Sequence, residues 1–339
     1  MRIVLDAMGG DHAPEVTVEG AVWAARDFGV EVVLVGPEEI IREQLTRHNH
    51  RGLALDIVHA PEWIRMDEHP ATAVRAKKRN SMTVGLEVIK RGEGDAFVTC
   101  GHTGAALAAS LFTLGRIRGI KRPALTTLFP TRIGHCFILD VGANADCKPE
   151  YIQQFAMMGS VYAHNVFHIE APKVGILSIG EEGGKGNALV QASFSLLEQT
   201  RVIRFIGNVE PKEILAGRAD VVVTDGFTGN IFIKTSEAVG AMLMDTIKEE
   251  VKQRPLAIGG MLLAQSALKA TLKRLDPREY GGAPLLGVNG IVLVGHGRSD
   301  AYAVRNAIRM AIRSVEGDIV RRTVEGLHEL QEDMDVRDS

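Results

Sequence analysis

The sequence predicts an α/β protein, a doubly wound Rossmann-like α/β/α sandwich, and three features carry that expectation. Short apolar runs alternate with helix-length segments along the 339 residues, the rhythm of β-α units. Many of those runs are continuous Val, Ile and Leu without polar alternation, as in strands buried on both faces. Aromatic residues make up only 5% of the chain. The core must therefore rest on Val, Ile, Leu, Ala and Met, which suits helices packed on a parallel sheet better than a β-sandwich.

The chain opens on Arg2-Ile3-Val4-Leu5-Asp6, a strand rather than a signal peptide. Strands are expected at 2–5, 31–35, 53–58, 96–99, 125–129, 136–139, 174–179, 203–206, 221–224 and 291–294, and helices at 15–28, 38–47, 81–91, 149–166, 229–252 and 299–314. Residues 96–115 carry no formal charge and are long enough to suggest a membrane span. The polar turn Gly101-His102-Thr103-Gly104 at their centre would leave backbone groups unsatisfied in lipid, so they read as a buried strand, turn and helix. No Pro/Ser linker, composition break or fixed-period repeat divides the chain. Residues 1–328 therefore read as one domain, with two lobes permitted, and the polar 329–339 as a flexible tail.

A net charge of −3 leaves no overall basic footprint for nucleic acid, so an anionic partner must meet a local patch. Cys100, Cys136 and Cys147 are too few and too scattered for a disulfide framework, and none forms a C-x-x-C pair. Reduced thiols in a cytoplasmic protein, with no metal site and no cofactor, are expected.

The strand ends are the informative positions. Six expected strands run into polar glycine loops: Asp6–Asp11, Gly101–Gly104, Asp140–Asp146, Gly180–Asn187, Asp225–Asn230 and Gly295–Asp300. Ligands of doubly wound sheets bind outside the carboxyl ends of the strands. Six such loops on one edge would present backbone N–H groups and helix N-termini to an anion. The standard nucleotide signatures are absent. No G-x-G-x-x-G follows the first strand, and Gly183-Gly184-Lys185-Gly186 lacks the glycine spacing and the Ser/Thr of a P-loop. Gly297-Arg298-Ser299 has part of a nucleophile elbow, but Ser299 reads better as a helix N-cap.

These loops resemble those of the phosphate:acyl-ACP acyltransferases of bacterial phospholipid synthesis, the PlsX family. The resemblance runs to about residue 315. It rests on Asp6-Ala7-Met8-Gly9-Gly10-Asp11-His12-Ala13-Pro14, Leu139-Asp140-Val141-Gly142-Ala143-Asn144, Asp146-Cys147-Lys148-Pro149, Ile179-Gly180-Glu181-Glu182 and Lys185-Gly186-Asn187. Gly207-Asn208-Val209-Glu210, Asp225-Gly226-Phe227, Gly229-Asn230, Lys234-Thr235-Ser236-Glu237 and Tyr280–Gly287 follow in the family's order. The resemblance implies an isopropylmalate-dehydrogenase-like fold, a homodimer, and formation of acyl phosphate from inorganic phosphate and acyl-[acyl carrier protein]. It further implies reversible contact with the inner face of the cell membrane, and a downstream acyl phosphate:glycerol-3-phosphate acyltransferase. The family's turn Gly-Asn-Thr-Gly-Ala is Gly101-His102-Thr103-Gly104-Ala105 here, so imidazole replaces the amide as donor, and the family's role for the amide carbonyl does not carry over.

Such a reaction asks for positioning and oxyanion stabilisation rather than base catalysis, because phosphate is already anionic and a thiolate leaves readily. Lys185, in its glycine loop, is expected to hold phosphate as a point charge. Gly9, Gly10, His102, Thr103, Gly104, Asn144, Asn187 and Gly229 are the expected neutral donors around the anion. Asn230 and Lys234 lie four apart on one helix face. Asp6, Asp140 and Asp225 would orient donors and cap helices, and Asp225 joins Lys185, Asn230 and His296 in the candidate catalytic set. His296, in Gly-His-Gly, is a candidate acid for the leaving thiolate, or a structural histidine.

Two basic clusters could meet an acidic carrier protein: Arg116, Arg118, Lys121 and Arg122, and Arg75, Lys77, Lys78 and Arg79. Residues 252–274 carry an apolar middle (Leu256, Ile258, Met261, Leu262) between basic ends, which suits a membrane-interfacial hairpin or a dimer surface. Three other readings compete: a phosphotransacetylase-like enzyme using acyl-CoA, an isopropylmalate-type dehydrogenase, and a non-catalytic membrane scaffold.

Overall fold

The computed structural model describes residues 1–338, less the side chains at 255, 256, 262, 277, 337 and 338. The first half builds β1 (Arg2–Asp6), α1 (Glu15–Phe28), β2 (Glu31–Gly36), α2 (Glu38–Leu45), β3 (Leu55–His59), α3 (Pro70–Ala76), α4 (Ser81–Lys90), β4 (Ala96–Thr99) and α5 (Thr103–Thr113). Then come β5 (Ala124–Pro130), β6 (His135–Leu139), α6 (Pro149–Phe167), β7 (Lys173–Leu177), α7 (Ala188–Glu198), β8 (Arg204–Val209), α8 (Pro211–Ala216) and β9 (Val221–Val223). The chain ends with α9 (Gly226–Lys252), α10 (Pro255–Leu263), α11 (Gln265–Leu275), β10 (Ala283–Leu286), β11 (Ile291–Val294), α12 (Ala301–Glu316) and α13 (Ile319–Asp338).

All the strands join one 11-stranded sheet in the order β3-β2-β1-β4-β11-β10-β5-β6-β9-β7-β8. Helices α1, α2, α6, α7, α12 and α13 bury one face. The other face is covered by α3, α4 and α5 over the first lobe and by α8 and the start of α9 over the second. The expected α/β/α sandwich is present, and helix boundaries follow local chemistry. Helix α1 stops where Gly29 takes the left-handed conformation (φ 65°), and α6 starts on Pro149 at its first position.

The direction of the strands departs from expectation. Strands β3, β2, β1, β4 and β11 are mutually parallel, and so are β6, β9, β7 and β8. Between the two sets, β10 is antiparallel to β11 and to β5, and β5 is antiparallel to β6. Three reversals turn the second lobe's strands against the first's, so the six glycine loops leave the sheet three at each edge, not all at one. Strand β10 was not anticipated, because Pro284 sits inside a four-residue run and proline argues against a central strand. The polar end expected to fray forms the last turns of α13 as far as Asp338, with Leu330 buried. Ser299 is buried and does not cap a helix; Asp300 caps α12 by accepting from Ala303 N–H at 2.9 Å.

Candidate active site

At one edge, the turns after β1, β4 and β11 interlock. Buried Asp6 accepts hydrogen bonds from Met8 N–H at 3.1 Å and from Thr99 Oγ1 at 2.7 Å, and Thr99 Oγ1 accepts Gly101 N–H at 3.0 Å. Burial pushes the Asp6 carboxyl above its ordinary value, while hydrogen bonds from Ser81, Thr99 and Met8 pull it down. Gly9 is there for space: a Cβ would stand 2.6 Å from Asp6 Oδ2 and 2.8 Å from Gly101 N. Gly10 lies beside Gly297, whose carbonyl accepts Asp11 N–H at 2.7 Å. His102 Nδ1 accepts Gly104 N–H at 3.1 Å and so caps α5, leaving the ring proton on Nε2 as a donor. Thr103 is exposed.

At the other edge, the turns after β6, β7 and β9 make a second assembly. Asp140 is buried and collects four donors: Leu125, Ala143 and Asn144 N–H and the Asn144 side-chain amide, all at 2.6–3.1 Å. Burial raises its pKa, and the same hydrogen bonds oppose that rise. Asn144 also donates to Pro123 O at 2.8 Å and accepts Gly226 N–H on its own carbonyl. Its amide hydrogens are thus spent inside the protein, which removes it from the expected phosphate donors. Gly229 drops out for another reason. Its N–H donates to Asp225 O, and a Cβ there would stand 2.0 Å from Asp140 O, so it is glycine for close packing. Asp225 caps α9 by accepting from Thr228 N–H and Thr228 Oγ1, each at 2.8 Å. Asn187 likewise caps α7, accepting from Val190 N–H at 2.9 Å. Lys185 is exposed on its loop and forms no ion pair among the described residues. Asn230 reaches toward Gly142, where an added Cβ would stand 2.8 Å from its amide nitrogen.

The two assemblies share a pattern that a search for fixed periods misses. Val98-Thr99-Cys100-Gly101-His102-Thr103-Gly104 and Val223-Thr224-Asp225-Gly226-Phe227-Thr228-Gly229 are both V-T-x-G-x-T-G. Each ends a strand and opens a helix, and each packs against a Leu-Asp pair, Leu5-Asp6 or Leu139-Asp140. The same pattern is used twice, once per lobe, with the helix capped by His102 in the first and by Asp225 in the second.

Helix α9 connects them. It starts on the Asp140 assembly, stacks Phe232 on Phe129 of β5 with ring centroids 5.2 Å apart, and ends its packed portion at Glu237. There one carboxylate oxygen lies 3.6 Å from His296 Nε2 and the other 3.3 Å from Arg298. Asn230, Lys234 and Glu237 therefore form a polar stripe at i, i+4 and i+7 running from one lobe's loops to the other's. Partial loss of water depresses the His296 pKa; Glu237 opposes this, while the Arg298 and Lys234 cations add to it. Sequence reasoning did not single out Glu237 or Arg298 as site residues, since neither signals its partner until α9 crosses the sheet.

The basic clusters are partly committed. Lys77 pairs with Glu68 at 2.6 Å and donates to Trp63 O. Arg75 lies over the Phe112 ring, Arg116 donates to Lys121 O, and Arg122 lies over Tyr151. Arg118, Lys121, Arg122, Lys78 and Arg79 face solvent. Ile258 is exposed and Met261 half-buried, whereas the side chains of Leu256 and Leu262 lie outside the described residues. Depressions of about 750 Å³ between α6 and α13 and about 530 Å³ along β8 are lined by no residue of either loop assembly.

Residues 1–322 match the family model described as Fatty acid synthesis protein. The chain belongs to that family. Among its relatives, the phosphate acyltransferase of Thermus thermophilus is 50% identical, covering 97% of this chain and 100% of its own. That of Herpetosiphon aurantiacus is 48% identical over 94% of this chain and 96% of its own. Among solved structures, a phosphotransacetylase from Streptococcus pyogenes superposes with a TM-score of 0.62 over 93% of this chain and 94% of its own, at 18% identity. The EutD phosphotransacetylase from Staphylococcus aureus gives 0.59 over 94% of each chain, at 16% identity. At such identities the likeness is one of fold. In this member of the fatty acid synthesis protein family, the segments that carry the sequence resemblance are the turns after β1, β6, β7 and β9 together with the end of β8, the start of α9 and β10.

Proposed function

We propose that the protein transfers an acyl group from acyl-[acyl carrier protein] to inorganic phosphate, releasing acyl phosphate. The observation that carries this reading is Lys185, an exposed cation without an ion pair among the described residues, in a glycine loop at the sheet edge where α6, α7 and α9 all begin. A cation next to the positive end of α7 favours a dianion. A phosphate oxygen attacks the thioester carbonyl carbon, forming the C–O bond. The tetrahedral oxyanion collapses, the C–S bond breaks, and the electron pair leaves on sulfur. A thiol pKa of about 8.5 lets that thiolate depart without a dedicated acid. Asn230 and Lys234 are the groups on α9 placed to meet the oxyanion, and Asp225 positions them by capping the helix.

Acyl carrier protein is the favoured donor because Arg118, Lys121 and Arg122 leave a free basic surface on the segment linking α5 to β5. Among the described residues no helix is long and apolar enough to cross a membrane. Contact with the inner membrane face and pairing into a homodimer would use the exposed apolar side chains of α9 to α11.

The test is phosphate-dependent loss of palmitoyl-ACP with acyl phosphate trapped by hydroxylamine, run beside palmitoyl-CoA. Turnover of the ACP thioester only with phosphate is expected, and Lys185→Ala should lower kcat/KM for phosphate by about 10- to 100-fold. Turnover of palmitoyl-CoA alone would favour a phosphotransacetylase, and turnover of neither would overturn the proposal.

A further inference from the structure

The loop between β7 and α7 holds its carbonyls in an unusual way. Asn208 Nδ2 donates to Glu182 O at 2.6 Å and to Lys185 O at 3.5 Å. From the other side, Gln191 Nε2 donates to Gly184 O and Gly186 O, each at 3.0 Å. Two amide side chains thus pin four carbonyls of one short loop. The N–H groups of Gly183, Gly184 and Gly186 have no acceptor among the described residues. A loop with its acceptors tied back and its donors unspent is set up for an anion.

Beneath it lie two polar atoms without partners. Ser178 is 6% exposed and Asn208 1% exposed, and neither Ser178 Oγ nor Asn208 Oδ1 makes a hydrogen bond among the described residues. Both stand at the carboxyl ends of paired strands β7 and β8. Gly186, at φ 105°, covers Ser178 so closely that a Cβ there would stand 3.2 Å from the hydroxyl. Buried polar atoms are almost always paired, so an orphaned hydroxyl under an anion-ready loop calls for a partner that arrives with the ligand.

We propose that Ser178 contacts bound phosphate through its hydroxyl, and that Asn208 and Gln191 are positioning residues which hold the carbonyls of the Lys185 loop away from the anion. The inference rests on the phosphate-dependent reaction above and adds three residues to its site. Gly183, Gly184 and Gly186 give the loop the freedom to admit the anion over Ser178. Lys185 supplies the charge, and the unspent N–H groups and the α7 N-terminus supply the directional donors.

Steady-state kinetics with varied phosphate, with isothermal titration of inorganic phosphate alone, tests the assignment. Ser178→Ala should raise the phosphate KM and Kd about tenfold, while the acyl-thioester KM and the Tm stay at wild-type values. Ser178→Cys, a weaker donor of similar shape, should fall between. Exposed Gln191 can be changed without disturbing the core. Gln191→Ala should raise the phosphate KM several-fold, and Gln191→Glu, whose acceptor faces two carbonyls, should raise it at least as much. An unchanged phosphate Kd in Ser178→Ala, with a raised Tm, would mean the hydroxyl is only a packing defect and would overturn the assignment. A wild-type protein that binds phosphate but transfers no acyl group would sink the reaction while leaving Ser178 testable by titration. A wild-type protein that binds no phosphate would overturn both.

Discussion

At the scale of single residues, the carboxylates at strand ends organise the turns that follow them. Asp140 shows this most fully, since it receives three backbone N–H groups and one side-chain amide. Only a carboxylate can accept all four. In Asp140→Asn one oxygen becomes an NH₂ that faces N–H donors, so at least two hydrogen bonds are lost inside the protein. At about 1–3 kcal/mol for each buried group left unsatisfied, the variant should lose about 2–4 kcal/mol in urea unfolding. A loss within about 0.5 kcal/mol of zero, the range of an ordinary surface change, would contradict this role. The sequence already assigned Asp6, Asp140 and Asp225 to orienting and capping, because a carboxylate repels phosphate and suits a helix start. Asn144 and Gly229, expected as phosphate donors, spend their N–H groups inside the protein. Glycine spacing does not reveal whether a missing Cβ makes room for a ligand or for a neighbouring backbone, and Asn144 spends its amide on Asp140 and Pro123, partners visible only once the turn is folded.

Among the elements, α9 carries two tasks along one helix of 27 residues. At its start Gly226 and Gly229 are buried against the Asp140 turn, Phe227 and Ile231 are exposed, and the polar stripe runs on to Glu237. Beyond Glu237 it exposes Val239, Met242, Leu243 and Ile247, and the apolar exposure continues on α10 and α11 at Ile258, Leu263, Leu272 and Leu275. Leu263 is 90% exposed. Contiguous apolar surface of this kind is rare on a monomer unless something covers it. Two pairs of substitutions separate the candidate covers. Met242→Glu with Leu243→Glu should halve the mass seen in sedimentation if α9 forms the contact between copies. Ile258→Glu with Leu263→Glu should abolish flotation with anionic liposomes while leaving the mass unchanged, if the α10 tip enters the interface. Wild-type mass and flotation in both variants would assign the ridge to neither. The apolar middle of 252–274 between basic ends was legible in the sequence, but the exposed apolar positions of α9 were not, because its apolar residues follow no clean helical period and sequence alone does not say which of them are covered.

For the whole molecule, the sequence conveyed the layers and most strand positions but not the reversals at β10 and β5 that divide the sheet into two lobes. Strand direction depends on which strands pair, and an apolar run such as Leu125–Phe129 reads the same in either direction. The two lobes nonetheless share one core: a single cluster of buried side chains includes Ile3, Leu5 and Val32 of the first and Leu139, Val174 and Val221 of the second. The last two helices clamp the lobes together. Helix α12 packs so tightly on α1 that a Cβ on Gly20 would stand 2.6 Å from Val304, and α13 packs on α6, where a Cβ on Gly326 would stand 2.9 Å from Val161. Unfolding one lobe alone would strip α12 or α13 from its seat and expose apolar surface of the other, at about 25 cal/mol per Å². Both tryptophans, Trp23 and Trp63, lie in the first lobe, whereas far-UV circular dichroism reports both. The protein should therefore unfold in urea with fluorescence and dichroism transitions that coincide, the mark of one cooperative unit. A fluorescence midpoint displaced from the dichroism midpoint would show instead that the reversals at β10 and β5 separate two folding units, and that α9, with its Glu237 contacts to His296 and Arg298, is a joint between them.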